Sequence, residues 1–323
     1  MPHARYCSFG AKNSLEVALE LRPRSRGQEG TLSLVDKHQP RIEPVAPQPA
    51  THGNPCAMNG FASPDSQPYT ARLAGAGALL DELEAVLHTA PAQASRADFR
   101  RLIIEENAAR KSTANARLWA WKRLKLRYLL DSPDCPEFTA FHLAHAAART
   151  TEDRRIVAAL MLARTDALFR DVTLDVVSRA LRTPGHVVRP ESIRANVEAK
   201  MHASSLVWSA ESLTSITNHL LSALADFGFI EGSRVRRTAR VRPGVEPTVF
   251  AATLGRLEGL TDRANLESRW FRLLGLDIEE AASALREAAR AGALRFRMQA
   301  DVVELVIDGH QGTTGERGRL DAP

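Results

Sequence analysis

The chain has little of the material from which metal sites, stacking surfaces and membrane anchors are built. Only three of its 323 residues are cysteine, at Cys7, Cys56 and Cys135. No two are spaced for a zinc site or a disulfide framework, and such sparse usage fits a reducing compartment. Aromatic residues make up 6% of the chain, too few for the rows of stacking platforms that single-strand binders use. Apolar runs are short. The longest in the body extends from Ile156 to Ala163, against the roughly 20 residues that a spanning helix needs. No transmembrane anchor is expected, and the N-terminus lacks the charged-then-apolar plan of a signal peptide, which points to the cytoplasm.

Catalytic signatures are equally scarce. Gly75-Ala-Gly77 follows no hydrophobic strand and has no third glycine, so a dinucleotide loop is not expected. His142 and His145 lie three apart on a helical pattern but have no Cys or carboxylate at ligand spacing. Glu105-Glu106 and Glu279-Glu280 do not form a two-metal nuclease signature. No Walker loop, methyltransferase glycine motif or nucleophile elbow occurs. The expectation is a protein that is not an enzyme and needs no metal and no cofactor.

What is present is helix-forming sequence. Residues 1–68 hold nine of the seventeen prolines and show no periodicity, as a disordered leader would. Met58, where order begins, offers a second reading in which translation starts there. From Tyr69 onward Ala, Leu, Arg and Glu recur at helical spacing, broken at Thr183-Pro184-Gly185. This predicts an N-terminal helical domain over 69–183, a C-terminal winged-helix-like domain over 184–308 and a disordered Gly- and Arg-rich tail over 309–323. The fold class is mainly α with small β-hairpins (α+β), a helical bundle plus winged helix-turn-helix units.

The net charge of +5 matters only if it is concentrated, and two segments concentrate it. The first reads as helix, strand, turn and wing. Ser209 is a plausible N-cap, and Leu213, Ile216, Leu220, Leu224 and Phe227 recur at intervals of three and four before Gly228 ends the helix. Phe229 and Ile230 suit a strand, Glu231-Gly232-Ser233 a turn, and Arg234 to Arg242 a basic wing. Five arginines (Arg234, Arg236, Arg237, Arg240 and Arg242) fall within these nine residues. They repel one another unless a polyanion neutralises them, and phosphate is the commonest such partner. Ser215, Asn218 and Ser222 point away from the apolar face, flanked by Thr214 and His219, and are of the type that approaches phosphates or base edges. The same residues also suit an ordinary solvated face and exposed hairpin. A preceding helix from Pro190 to Ala203 completes the pair.

The second segment runs from Arg100 to Arg127. Arg100, Arg101, Arg110, Lys111, Arg117, Lys122, Arg123, Lys125 and Arg127 face only Glu105 and Glu106. Two helices, Arg96 to Ala109 and Thr113 to Leu130, joined by an Arg-Lys-Ser turn, have the layout of a helix-turn-helix or a helical hairpin. Two apolar stripes, one with Leu118, Trp121, Leu124 and Tyr128 and one with Trp119, Leu126 and Leu130, predict that the second helix is central to its domain. Thr113, Ala116, Ala120, Arg123 and Arg127 share the face between them, suited to nucleic acid, a protein interface or solvent. Further on, Asp277-Ile-Glu-Glu280 has the form of a capping box, and Gly292 is placed to end that helix before a hairpin around Gln299-Ala-Asp301.

Four motifs in order carry a resemblance over about three quarters of the chain. They are Thr70-Ala-Arg-Leu-Ala-Gly-Ala-Gly-Ala-Leu-Leu80; Glu106-Asn107 followed by Arg110-Lys-Ser-Thr113 and Arg117; Gly228-Phe-Ile-Glu-Gly232 leading into the arginine run; and Glu267-Ser-Arg-Trp270. With them the chain from Tyr69 to Ile307 resembles the BrxA family of BREX bacteriophage-exclusion systems, whose members are often labelled inner-membrane proteins. The resemblance implies a helical fold with winged-helix character, binding to double-stranded DNA, and work beside the BREX methyltransferase, ATPase and alkaline-phosphatase-like proteins. The expected partner is duplex DNA, with no membrane. A transcriptional regulator, an assembly scaffold for defence proteins and an RNA-binding helical protein are the alternatives.

Overall fold

Residues 67–91, 93–300 and 302–307 are described by the structure, a computed structural model. Nearly all of the leader, the alternative start at Met58 and the whole of the expected tail lie outside them. Short polar side chains begin several of the helices. After a 3₁₀ turn at Ala71–Gly75 come α1 (Leu80–Thr89), α2 (Arg96–Ile104), α3 (Ala114–Arg127), α4 (Pro136–Ala147) and α5 (Thr151–Thr165). Ser95 and Asp98 form a capping box on α2. Thr113 and Thr150 accept from the third backbone N–H of α3 and α5, and Pro136 occupies the first turn of α4, where its missing N–H costs nothing. Helix α6 (Ala167–Val172) passes into a π turn at Thr173–Ser178 and ends at Leu181.

Helices α7 (Pro190–Ala203) and α8 (Ala210–Asp226) follow, then the two-residue strands β1 (Ile230–Glu231) and β2 (Arg237–Thr238). The chain closes with α9 (Val245–Leu257), α10 (Asp262–Leu266), α11 (Arg269–Leu273), α12 (Ile278–Arg290), β3 (Arg295–Gln299) and β4 (Val302–Val306). The strands form two antiparallel pairs, Ile230 opposite Thr238 and Phe296 opposite Leu305. The fold is mainly α with two small hairpins.

The apolar run at Ile156 to Ala163 is buried on every side, because α5 sits between α3, α4 and α9. A chain of aromatic contacts links these layers: Phe99 to Phe138, Phe138 to Phe141, and Phe141 to both Tyr128 and Phe250, at centroid separations of 5.6 to 6.2 Å. Such pairs add about 1 kcal/mol each beyond their buried area. One contiguous cluster of buried side chains runs from Leu73 to Leu305. At its far end Asp262 accepts from Leu305 N at 3.2 Å and Arg256 donates to Leu305 O, which fastens the last hairpin to α9 and α10.

The stop and start signals read from sequence have structural counterparts. Gly228 ends α8 at φ 77° and Gly292 ends α12 at φ 76°, in the left-handed region that favours glycine. Asp277 accepts from Glu280 N at 2.9 Å, and the Glu280 carboxylate accepts from Asp277 N at 3.1 Å. Asp277→Ala is expected to destabilise the protein by about 1 kcal/mol, read as a lower urea midpoint with an unchanged m value. An unshifted midpoint would mean that the box contributes nothing.

Two expectations need correction. Helix α2 ends at Ile104, not near Ala109, because Asn107 and Arg110 take positive φ and turn the chain through a longer connection to Thr113. Helix α3 packs against the core, but neither of its two expected apolar stripes is buried throughout. Trp121, Leu124 and Tyr128 face the core, but Leu118 and Leu126 are 40% and 39% exposed. The neighbours α2 and α5 cover one side, and the ridge carrying residues 118, 122 and 126 lies opposite.

Candidate nucleic-acid interface

The arginine run is held on a small scaffold built around α7 and α8. Ser209 caps α8, accepting from Ser212 N at 3.2 Å, and Leu213, Ile216, Leu220, Leu221 and Leu224 are buried. The hairpin then leans on the segment that precedes α7. Gly185 N donates to Thr238 O at 2.8 Å, Thr238 N to His186 O at 2.8 Å, and Val188 N to Arg236 O at 2.9 Å. Val187 pairs with Arg237 as a third, single-residue strand. Thr238 is wholly buried, and its hydroxyl donates to Thr183 O at 3.0 Å. The turn requires Gly232, at φ 90°, where a Cβ would overlap Val235 O. Beyond the run, Gly244 N donates to Asp153 Oδ1 at 2.8 Å, which anchors the returning chain at the start of α5.

Between these anchors Arg234, Arg237, Arg240 and Arg242 are exposed and Arg236 is half-buried. Arg237 donates to Gly185 O at 2.9 Å. Among the described residues none of the five forms an ion pair with a carboxylate, and Arg236 Nη1 is buried without a partner.

The other basic segment is partly neutralised, with four of its nine basic residues in ion pairs. Arg100 pairs with Glu105 at 3.7 Å, Arg101 with Asp98 at 3.3 Å and with Glu106, Lys125 with Asp131 at 3.6 Å, and Lys111 with Glu82. Thr113 is spent on capping α3, accepting from Ala116 N at 3.1 Å. Arg117 is half-buried and its Nη1 donates to Glu105 O at 3.5 Å, while Arg110 is exposed. Arg123 lies over the Trp119 ring at 4.0 Å. Arg127, expected at a phosphate-facing surface, is 3% exposed. Its guanidinium donates to the carbonyls of Arg72 (3.3 Å), Ala76 (3.0 Å) and Gly77. Buried carbonyls need donors, and Arg127 supplies three of them at once.

Those carbonyls belong to the segment 71–78, a strap that lies between α3 and α8. On the α3 side Arg127 and the Tyr128 hydroxyl hold it, the latter donating to Ala78 O at 2.6 Å. On the α8 side the Ser215 hydroxyl donates to Ala74 O, and Asp226 accepts from Ala78 N at 3.2 Å. Glycine makes the close approach possible: a Cβ at Gly75 would meet the Arg123 guanidinium, and one at Gly77 would lie 3.1 Å from Ser222 Oγ. Ser215 and Ser222, expected to face outward, are therefore half-covered by the strap, while Thr214 and Asn218 stay exposed. Sequence reading missed Arg72, Tyr128 and Asp226 as part of this arrangement. Its one signal was the alternation of Ala and Gly from 74 to 78, a mark of close backbone packing.

His145 is buried beside Phe141, and burial pushes its imidazole down to about 4. Among the described residues no three His, Cys, Asp or Glu side chains group to hold a metal ion, and no helix is long and apolar enough to cross a membrane. No curated protein matches the chain. The BrxA family model matches residues 67–252, which takes in the strap, the α3 face, α7, α8 and the arginine hairpin. That match covers more than half of the sequence, and the chain belongs to the BrxA family.

Proposed function

We propose that this protein is a non-enzymatic, duplex-DNA-binding component of a BREX-type bacteriophage defence system, gripping the DNA backbone through the hairpin between β1 and β2. The observation that carries this reading is the run from Arg234 to Arg242, five guanidinium groups with no carboxylate in ion-pair contact among the described residues. Such a group is relieved of self-repulsion by a polyanion. The order of elements supports it. A helix ending at Leu181, a strand residue at Val187, α7, α8 and a two-stranded hairpin are the parts of a winged helix-turn-helix, with α8 in the recognition position and the arginine run as the wing.

Because the strap covers Ser215 and Ser222, only Thr214 and Asn218 of the short polar residues on α8 are fully open to base edges. Binding with little sequence preference follows. BrxA membership is consistent with a BREX-associated role, in which the methyltransferase, the ATPase and the alkaline-phosphatase-like protein are the proposed partners and the cytoplasm the proposed location.

The test is a titration of the full chain with unrelated duplexes, single-stranded DNA and RNA between about 50 and 200 mM salt. Duplex affinity is expected to fall steeply and alike for all sequences, by about threefold for each phosphate contact. Flat salt dependence, or tighter binding to RNA, would refute the reading. Strong preference for one palindromic site would favour a transcriptional regulator instead.

A further inference from the structure

Two arginines of α3 meet the strap, and a third, Arg72, lies within it. Arg127 is buried under the strap carbonyls. Arg123 lies on the outer side of the same helix, stacked on Trp119, and its guanidinium fills the space where a side chain at Gly75 would be, with Cζ 2.9 Å from the position of a Cβ. The strap is a 3₁₀ turn here, so residues three apart stand on one side of it. Arg72 and Gly75 share that side, and both are exposed, whereas Leu73 and Ala76 are buried. Neither Arg72 nor Arg123 forms an ion pair with a carboxylate among the described residues, and Arg123 Nε is buried without a partner. One residue further along the strap, Ala74 O accepts from Ser215 of α8. Arg123, with no carboxylate in contact, is thus placed beside an exposed glycine next to the helix proposed to face DNA, and Arg72, whose charge also acts on the buried Asp166 carboxyl, stands on the same side of the strap.

We propose that Arg72 and Arg123 form a second phosphate-binding point, in which the strap joins α3 to α8 as one continuous DNA-binding surface and Gly75 is a positioning residue. The inference rests on the DNA-binding reading above and adds a contact apart from the wing. Arg123 presents a planar fork suited to a phosphate, and the stack on Trp119 limits the freedom it would lose on binding. Gly75 leaves room for the guanidinium. A methyl group there would push it off its place without changing any charge.

The experiment compares the full chain with Arg72→Gln, Arg123→Gln and Gly75→Ala, each in a salt titration with one 20-base-pair duplex and with melting temperature as the folding control. Arg72→Gln and Arg123→Gln are each expected to weaken binding about threefold at moderate salt and to reduce the salt slope by about one. Gly75→Ala is expected to weaken binding to a similar degree at unchanged net charge. If Gly75→Ala melts early, the two arginine variants decide. Unchanged affinity and slope in both arginine variants, while a wing variant still weakens binding, overturns this site and leaves the DNA-binding reading standing. Absence of duplex binding by the unaltered chain overturns both. Inorganic phosphate is the remaining arm: if millimolar phosphate raises the melting temperature of the unaltered chain but not that of Arg123→Gln, and duplex affinity is the same in both, the site takes free phosphate and the backbone assignment fails.

Discussion

Replacing Arg234, Arg240 and Arg242 together with glutamine is expected to lower affinity for unrelated duplexes by about thirtyfold at moderate salt and to shrink the salt slope by about three. Both figures follow from three lost phosphate contacts, each releasing slightly less than one counterion. These three arginines are exposed and make no ion pair or side-chain hydrogen bond among the described residues, so the melting temperature should stay within a degree or so of the parent. Arg236 and Arg237 are left in place because one is half-buried and the other donates to Gly185 O; altering them would mix a folding effect with a binding effect. Asn218→Ala makes a useful companion. It removes an exposed polar group from α8 without removing charge, so it should leave general affinity nearly unchanged and alter preference among sequences only if α8 reads bases. A folded triple variant with the parental salt slope would take the wing out of the DNA interface, and an acidic protein partner would then be the better account of its charge.

The largest expected effect on stability is at Arg127. Arg127→Ala removes donors from three strap carbonyls and opens a cavity between α3 and the strap, in a position that is 3% exposed. A loss of about 3 kcal/mol or more is expected, since buried polar groups left without partners cost about 1 to 3 kcal/mol each and relaxation recovers part of that. Lysine is no remedy, because an ammonium group lacks the planar fork that spans separate carbonyls. Chemical denaturation gives the comparison directly, and a drop below about 1 kcal/mol would show that the strap does not depend on Arg127. Tyr128→Phe removes the neighbouring bond to Ala78 O. Combined with Arg127→Ala it should cost less than the two single changes added, because both release the same segment.

The helices, their starts and several of their ends were legible in the chain because these features are local. Three-and-four spacing from Leu213 to Phe227 names the buried face of α8 whatever packs on it. Ser209, Gly228, Asp277 and Gly292 act on backbone groups within four residues, so their identity is enough to place a cap or a left-handed turn. The density of arginine between 234 and 242 was visible for the same reason, and so was the absence of a span-length apolar run.

Which polar and basic side chains reach the surface was decided only by tertiary structure. Periodicity assigns Ser215 and Ser222 to the polar side of α8, but what covers that side is a strap 141 residues earlier in the chain. Arg127 and Arg123 are four apart and shared one predicted face. The strap buries the first under its carbonyls and leaves the second at its edge, beside a glycine. Lys111 looks like part of a basic cluster until Glu82, 29 residues away, is brought against it. The exposed ridge on α3 arises likewise, since the spacing of Leu118 and Leu126 suits a core and only the arrangement of α2 and α5 leaves them uncovered. Local sequence sets what each segment can be because backbone geometry and capping act over a few residues; burial and charge pairing depend on contacts between segments that the chain brings together only on folding.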